Sequence, residues 1–162
     1  MQNIVLIGFM GSGKTTIGAY LAKCMGHYFI DTDVLIAMQS ALSVKEIFEC
    51  YGEEYFRKQE ACFIQWASSH LSHAVIATGG GMPIFNSIKA LGKVFYLKLD
   101  FQTIQTRLSL KERTSRPLFA HPQKAYELYQ SRIAAYAQCA DYTIEADRSI
   151  EEIATEILKH SS

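Results

Sequence analysis

The 162-residue chain has few cysteines, no excess of charge of either sign and no long apolar run, and each lack removes a class of protein. Cys24, Cys50, Cys62 and Cys139 are scattered without a C-x-x-C pair, which argues against a disulfide framework and against a zinc site. Reduced thiols in buried or half-buried apolar surroundings are expected instead. Lys plus Arg and Asp plus Glu both count 16, so no global field recruits nucleic acid or an anionic membrane, and any anion site must be local. No apolar stretch is long enough to span a bilayer, and the start MQNIVLIGFMGSGK lacks the basic segment and cleavage site of a secretion signal. A cytoplasmic location is expected. Internal repeats and low-complexity tracts are also absent, and the length suits one domain, residues 1–162, with enough apolar sequence to bury a core.

What the sequence does have is alternation. Apolar runs at 3–9, 28–31, 74–78 and 94–99, with a weaker one at 142–146, read as strands. Helical patterns lie between them at 14–25, 34–40, 43–51, 54–70, 102–109 and 122–139, with a last one at 149–160. Strands alternating with helices imply an α/β fold with a parallel sheet covered on both faces, and near-continuous apolar strands such as IVLI and AVIA fit burial on both sides. In such sheets the ligand sits beyond the carboxyl ends of the strands, so the residues following each strand carry the functional argument.

After the first strand comes GFMGSGKTT. Gly8, Gly13, Lys14 and Thr15 fit the spacing of a phosphate-binding loop, G-x-x-x-x-G-K-[ST], in the strand-to-helix context the loop requires. Glycines leave room for phosphate oxygens beside the main chain, and the amides meet the N-terminus of a helix whose free donors favour an anion. Lys14 adds a mobile positive charge for the outer phosphates, and the Thr15 hydroxyl can complete a magnesium shell. A chance match in a chain this long is on the order of half a per cent.

After the second strand comes DTD. Asp31 and Asp33 share one side of an extended chain; one carboxylate could hold magnesium and the other orient or deprotonate an attacking hydroxyl, the alternative being a helix cap. After the third comes TGGG, Gly79 to Gly81, which suits either close approach of a ligand to main-chain amides or a tight turn. Arg57 and Glu60 lie one helical turn apart, for which a surface ion pair is the simplest account. With the distant Arg132, Arg57 could clamp a carboxylate, although spacing alone does not bring the two together. The segment LKERTSRPLFAHPQ, 110–123, reads as a mobile surface loop carrying Lys111, Arg113, Arg116 and His121. His70 and His73 lack an acidic or thiol partner in pattern, and Trp66, Tyr126, Tyr129 and Tyr136 recur at helical spacing that suits core or groove packing.

Taken in order, GFMGSGKTT, DTD, EEYFRKQE, TGGG, RPL and SRIAAYAQCADYTI resemble the shikimate kinase family over essentially the whole chain. The resemblance implies a nucleoside monophosphate kinase-like, three-layer α/β/α fold with a five-stranded parallel sheet in the order 2-3-1-4-5. It also implies a substrate-binding region at about 32–61 and a lid at about 110–121. The implied reaction moves the γ-phosphoryl group of ATP to the 3-hydroxyl of shikimate, with magnesium, in a cytoplasmic monomer that needs neither nucleic acid nor membrane. Gly11, Ser12, Gly13, Lys14, Thr15 and Thr16 would hold the ATP phosphates, Thr15 would bind magnesium, and Asp31 would lie in the metal's outer shell. Asp33, Arg57, Gly79, Gly80, Gly81 and Arg132 would hold shikimate, with Glu60 positioning Arg57 and with Phe48, Phe56, Pro117 and Leu118 as the apolar wall. Lys14, Asp33 and Arg116 would act in catalysis, Arg116 and Arg113 approaching the phosphates from the lid. At the adenine end the chain reads ADRSIEE, so Arg148 can stack on the base without the proline that often follows in the family. A gluconate kinase and a regulatory module that binds nucleotide without phosphoryl transfer are the rival readings.

Overall fold

The computed structural model describes residues 2–108 and 120–161. Five parallel strands form one sheet in the order β2-β3-β1-β4-β5: β1 (Ile4–Ile7), β2 (Tyr28–Asp31), β3 (Ala74–Ala77), β4 (Lys93–Lys98) and β5 (Tyr142–Glu145). Strand β1 is central, its Val5 aligned with Ile76 of β3 on one side and Val94 of β4 on the other. Every residue of β1 and β3 is buried, which is why neither shows the alternation of a half-exposed strand. The expected fold and strand order are both present.

Among the described residues the helices are α1 (Lys14–Met25), α2 (Thr32–Ser40), α3 (Val44–His70), α4 (Met82–Phe85), α5 (Phe101–Arg107), α6 (Pro122–Cys139) and α7 (Ile150–Lys159). Their ends follow from local chemistry. Ser43 and Glu46 make a capping box at the start of α3, as Ser149 and Glu152 do for α7, and Gly26 closes α1 in the left-handed region with φ 65°. Buried side chains on α1, α3, α6 and α7 join the strands in one core, while Ile36, Ile47 and Phe56 form a smaller cluster between α2 and α3.

The helices expected at 43–51 and 54–70 are both present, as two segments of α3 on either side of Gly52, whose φ of 79° and ψ of 169° are not helical. Several local expectations need correction. Helix α2 begins at Thr32, two residues early, because Asp31 accepts hydrogen bonds from the amides of Asp33 and Val34 and so caps it. The short α4 was not anticipated. Cys24, Cys50 and Cys62 are exposed and only Cys139 is half-buried, so the thiols do not sit in the apolar interior. Tyr129 and Tyr136 are core residues, but Trp66 is half exposed and stacks on His70. Among the described residues no helix is long and apolar enough to cross a membrane.

Candidate active site

The turn after β1 has the conformation its glycines allow and other residues resist. Gly8, Gly11 and Gly13 have φ of 147°, 80° and 93°. A Cβ on Gly8 would press on the Leu97 carbonyl oxygen at 2.8 Å, and one on Gly11 would meet Ile104 at 3.0 Å, so α5 and β4 back the loop. Lys14 folds over it, donating to the carbonyls of Gly8 at 2.7 Å and Phe9 at 2.9 Å. Ser12 is buried, and its hydroxyl has no hydrogen-bond partner among the described residues, an unmet donor inside a loop shaped for an anion.

Beside the loop, the Thr15 hydroxyl donates to Asp31 Oδ2 at 3.0 Å, while Asp31 Oδ1 takes the α2 amides. The pair is made of oxygens only, at the open end of a phosphate loop, and it fits magnesium, a hard cation that uses few protein ligands and completes its shell with phosphate oxygens and water. Asp33, in the first turn of α2, lies against Gly79, where an added Cβ would run into its carboxylate. Close approach is therefore the reason for that glycine.

The third part of the site is built around Arg57. Its Nη1 donates to both oxygens of Glu60 at 2.9 Å, and its Nε and Nη2 reach Glu53 at 3.2 and 2.8 Å. Three rings surround the guanidinium, Phe85 with its centroid at 4.4 Å, Phe56 at 5.5 Å and Phe48 at 5.9 Å. The Gly81 backbone closes another side, since a Cβ there would fall 2.6 Å from Nη1. Arg57 and Glu60 are thus not a surface pair: Glu60 is fully buried and accepts a further bond from Asn86 at 3.2 Å. Burial pushes the Glu60 carboxyl up to about 7 against the pull of Arg57, with Asp33 and Glu53 adding to the push. Burial also works against the charge on Arg57, but its bonds to Glu60 and Glu53 outweigh that and hold its pKa above the ordinary value.

Helix α6 completes the arrangement. Arg132 is half-buried, and a Cβ on Gly80 would stand 3.6 Å from its Nη1, 3.4 Å from the Tyr136 hydroxyl and 3.7 Å from the Gly8 carbonyl oxygen. The glycine run after β3 is where the phosphate loop, the Arg57 pocket and Arg132 meet.

The comparisons with known proteins bear on what this site does. Residues 10–162 match the family model described as shikimate kinase. The chain belongs to the shikimate kinase family. The shikimate kinase of Helicobacter hepaticus is 48% identical over 159 residues, spanning 98% of this chain and 95% of that protein. That of Caldanaerobacter subterraneus subsp. tengcongensis is 43% identical over 167 residues, with 98% and 95% covered. Among solved structures, a shikimate kinase from Acinetobacter baumannii in complex with shikimate superposes with a TM-score of 0.86 at 33% identity, covering 99% of this chain and 92% of that one. One from Bacteroides thetaiotaomicron gives 0.89 at 27%, with 98% and 97% covered. A gluconokinase from Sinorhizobium meliloti, at 14% identity and a TM-score of 0.58, shares the fold alone. As a member of the shikimate kinase family, the chain is an ATP- and magnesium-dependent phosphotransferase with an alcohol acceptor.

Of the residues expected to serve the family's reaction, Gly11 to Thr16, Asp31, Asp33, Phe48, Phe56, Arg57, Glu60, Gly79 to Gly81 and Arg132 gather around the carboxyl ends of β1, β2 and β3. Arg113, Arg116, Pro117 and Leu118 lie outside the described residues. Arg148 stands apart at the β5 to α7 turn, donating to the Glu145 carbonyl at 3.0 Å and pairing with Glu156. Sequence reasoning passed over Arg107, which ends α5 next to the phosphate loop and joins the same turn through the Ala146 carbonyl at 3.1 Å and Asp147 at 2.8 Å. It also passed over Glu53, Phe85 and Asn86 around Arg57. Glu53 sits four residues before Arg57 and carried a helical-pair signal; the others arrive from another element and left none.

Proposed function

We propose that this chain transfers the γ-phosphoryl group of ATP to the 3-hydroxyl of shikimate with the following division of labour. The loop amides of Gly11 to Thr16 cradle the phosphates, and Lys14 leaves the carbonyls of Gly8 and Phe9 to follow the charge of the transferring group. Thr15 would hold magnesium directly and Asp31 in its outer shell; when bound, the ion neutralises charge developing on the phosphate oxygens. Asp33 orients the acceptor hydroxyl and receives its proton. Arg57 and Arg132 grip the acceptor carboxylate through planar forks, and Glu60, Phe48 and Phe56 fix Arg57 in place. The family resemblance assigns Arg116 and Arg113, outside the described residues, to the phosphates, and Pro117 and Leu118 to the apolar side of the acceptor. Arg107 and Arg148 frame the base at the turn after β5. The enzyme acts as a cytoplasmic monomer on small molecules, without nucleic acid or membrane.

The observation that carries this reading is the meeting at Gly80: an arginine from α6 and the phosphate loop converge on a glycine run that also abuts Asp33 and Arg57. A small acid held there stands between a candidate base and a nucleotide terminus, which is the geometry of in-line phosphoryl transfer. Magnesium-dependent ADP release from ATP with shikimate, gluconate, AMP or no acceptor tests it. Release with shikimate alone is expected. Release with gluconate instead would mean the acceptor pocket is assigned wrongly, and tight ATP binding without acceptor-stimulated release would favour a nucleotide sensor.

A further inference from the structure

The glycine run is held from two sides by polar groups that neither the family resemblance nor the proposed roles employ. On one side the Gly79 amide donates to Thr32 Oγ1 at 3.0 Å; Thr32 is fully buried, between Asp31 and Asp33. On the other the Tyr136 hydroxyl donates to the Gly80 carbonyl at 2.7 Å, from a side chain that is also fully buried. Buried hydroxyls are costly unless bonded, so both contacts are strongly retained.

Their consequence follows from peptide planarity. The carbonyl of Gly80 and the N–H of Gly81 belong to one rigid unit and point in opposite directions, so fixing the first aims the second. The same holds for the Gly79 N–H and the Thr78 carbonyl. Three adjacent glycines otherwise have the widest conformational freedom of any backbone. Tyr136 also follows Arg132 by one turn of α6, so its hydroxyl and the guanidinium lie on one helix face and meet the loop together. Burial pushes the Tyr136 phenol up to about 12, against the opposing influence of Arg132 and Arg57, so the hydroxyl stays a donor across the neutral range.

We propose that Thr32 and Tyr136 are positioning residues for the acceptor: they lock the Gly79–Gly81 backbone, and Tyr136 ties that backbone to the helix that carries Arg132. The spacing between Arg57, packed on Gly81, and Arg132, packed on Gly80, is then set before the acid arrives. This inference rests on the reading that these groups bind the acceptor carboxylate.

The test is steady-state kinetics for shikimate and for ATP, with melting temperatures, on the wild-type protein, Tyr136→Phe, Thr32→Val and Tyr129→Phe. Tyr129 is the matched control, another buried tyrosine of α6, donating to the Leu99 carbonyl at 3.0 Å. Tyr136→Phe and Thr32→Val are expected to raise KM for shikimate by about fivefold to tenfold, the effect of one lost hydrogen bond, with kcat within about twofold and KM for ATP unchanged. Tyr129→Phe is expected to lower the melting temperature by a similar amount and to leave KM for shikimate alone. If one variant fails to fold, the other still decides. An unchanged KM for shikimate in the folded variants, a parallel rise for ATP, or an equal rise in Tyr129→Phe overturns the proposal. Wild-type protein without acceptor-dependent turnover overturns instead the reading on which it rests.

Discussion

Arg57 commits all three of its nitrogens to protein carboxylates, Nη1 to both oxygens of Glu60 and Nε and Nη2 to Glu53, before any substrate arrives. The second N–H groups of Nη1 and Nη2 are what remains for a ligand, and the Phe85 ring lies over the guanidinium at 4.4 Å. A ring so placed attracts the cation and sheds water from it, an effect of about 1 kcal/mol at a half-exposed site. Phe85→Leu is therefore expected to raise KM for shikimate by roughly threefold to fivefold with kcat retained, whereas Phe85→Tyr stays near wild type; kinetics on the two variants measure this. Glu60 adds a pH dependence. Its folded pKa of about 7 stands above the ordinary 4.5, so the folded state holds the extra proton between those values. Its contribution to stability is present below pH 4.5 and is lost as pH rises through about 7. Melting temperatures from pH 5 to 8 should fall more steeply with pH in the wild-type protein than in Glu60→Gln, and parallel curves would show that Glu60 does not titrate there. The contacts of Arg57 with Glu53 and Glu60 were legible in the sequence as helical neighbours, but its burial was not, because Phe85, Asn86 and Gly81 come from beyond β3.

At the scale of elements, Asp31 uses its two oxygens on two different elements. Oδ1 caps α2 through the Asp33 and Val34 amides, and Oδ2 takes the Thr15 hydroxyl. The sequence offered cap and metal as alternatives; the structure shows the cap, and because the strand ends where the helix begins, the second oxygen is left beside Thr15, where the proposed metal role would use it. Asp31→Asn keeps an acceptor for the cap and removes the charge. Its stability should change by less than about 1 kcal/mol, while the magnesium concentration giving half-maximal activity rises severalfold. Asp31→Ala should lose on both counts. Thermal melts with magnesium titrations of the activity check both, and an unchanged magnesium requirement in a folded Asp31→Asn removes this residue from the metal's surroundings. Element existence was well marked in the sequence by buried apolar runs and by the loop glycines. The kink in α3 was marked too, as a gap between two patterns, because Gly52 takes a positive φ with nothing near its missing side chain. The four-residue α4 was too short for any periodicity to reveal.

At the scale of the whole molecule, the strand order decides which distant residues become neighbours. With β1 between β3 and β4, the loops after β1 and β3 open side by side, and β2 beyond β3 brings the DTD turn to the same carboxyl end of the sheet. Periodicity in the sequence indicated parallel strands and burial but not their order, which came from the family resemblance; the meeting of Arg57 and Arg132 across the glycine run depends on that order and was invisible to spacing. On the proposed reading, this arrangement also separates two binding tasks. Arg132 stands near Gly80 and Tyr136 on α6, whereas Lys14 and Thr15 lie at the start of α1, so in the proposed reaction the acceptor carboxylate and the nucleotide are assigned to different elements. Arg132→Lys keeps the charge and loses the planar fork, which matters for a carboxylate held by two parallel bonds. The variant is expected to lose tenfold or more in kcat/KM for shikimate, about 1.4 kcal/mol or more of transition-state stabilisation, with ATP affinity within about twofold of wild type. Nucleotide titration beside shikimate kinetics reads the two separately. An equal loss of ATP binding would mean that α6 holds the phosphate loop as well as the acceptor, and that the domain works as one grip rather than two.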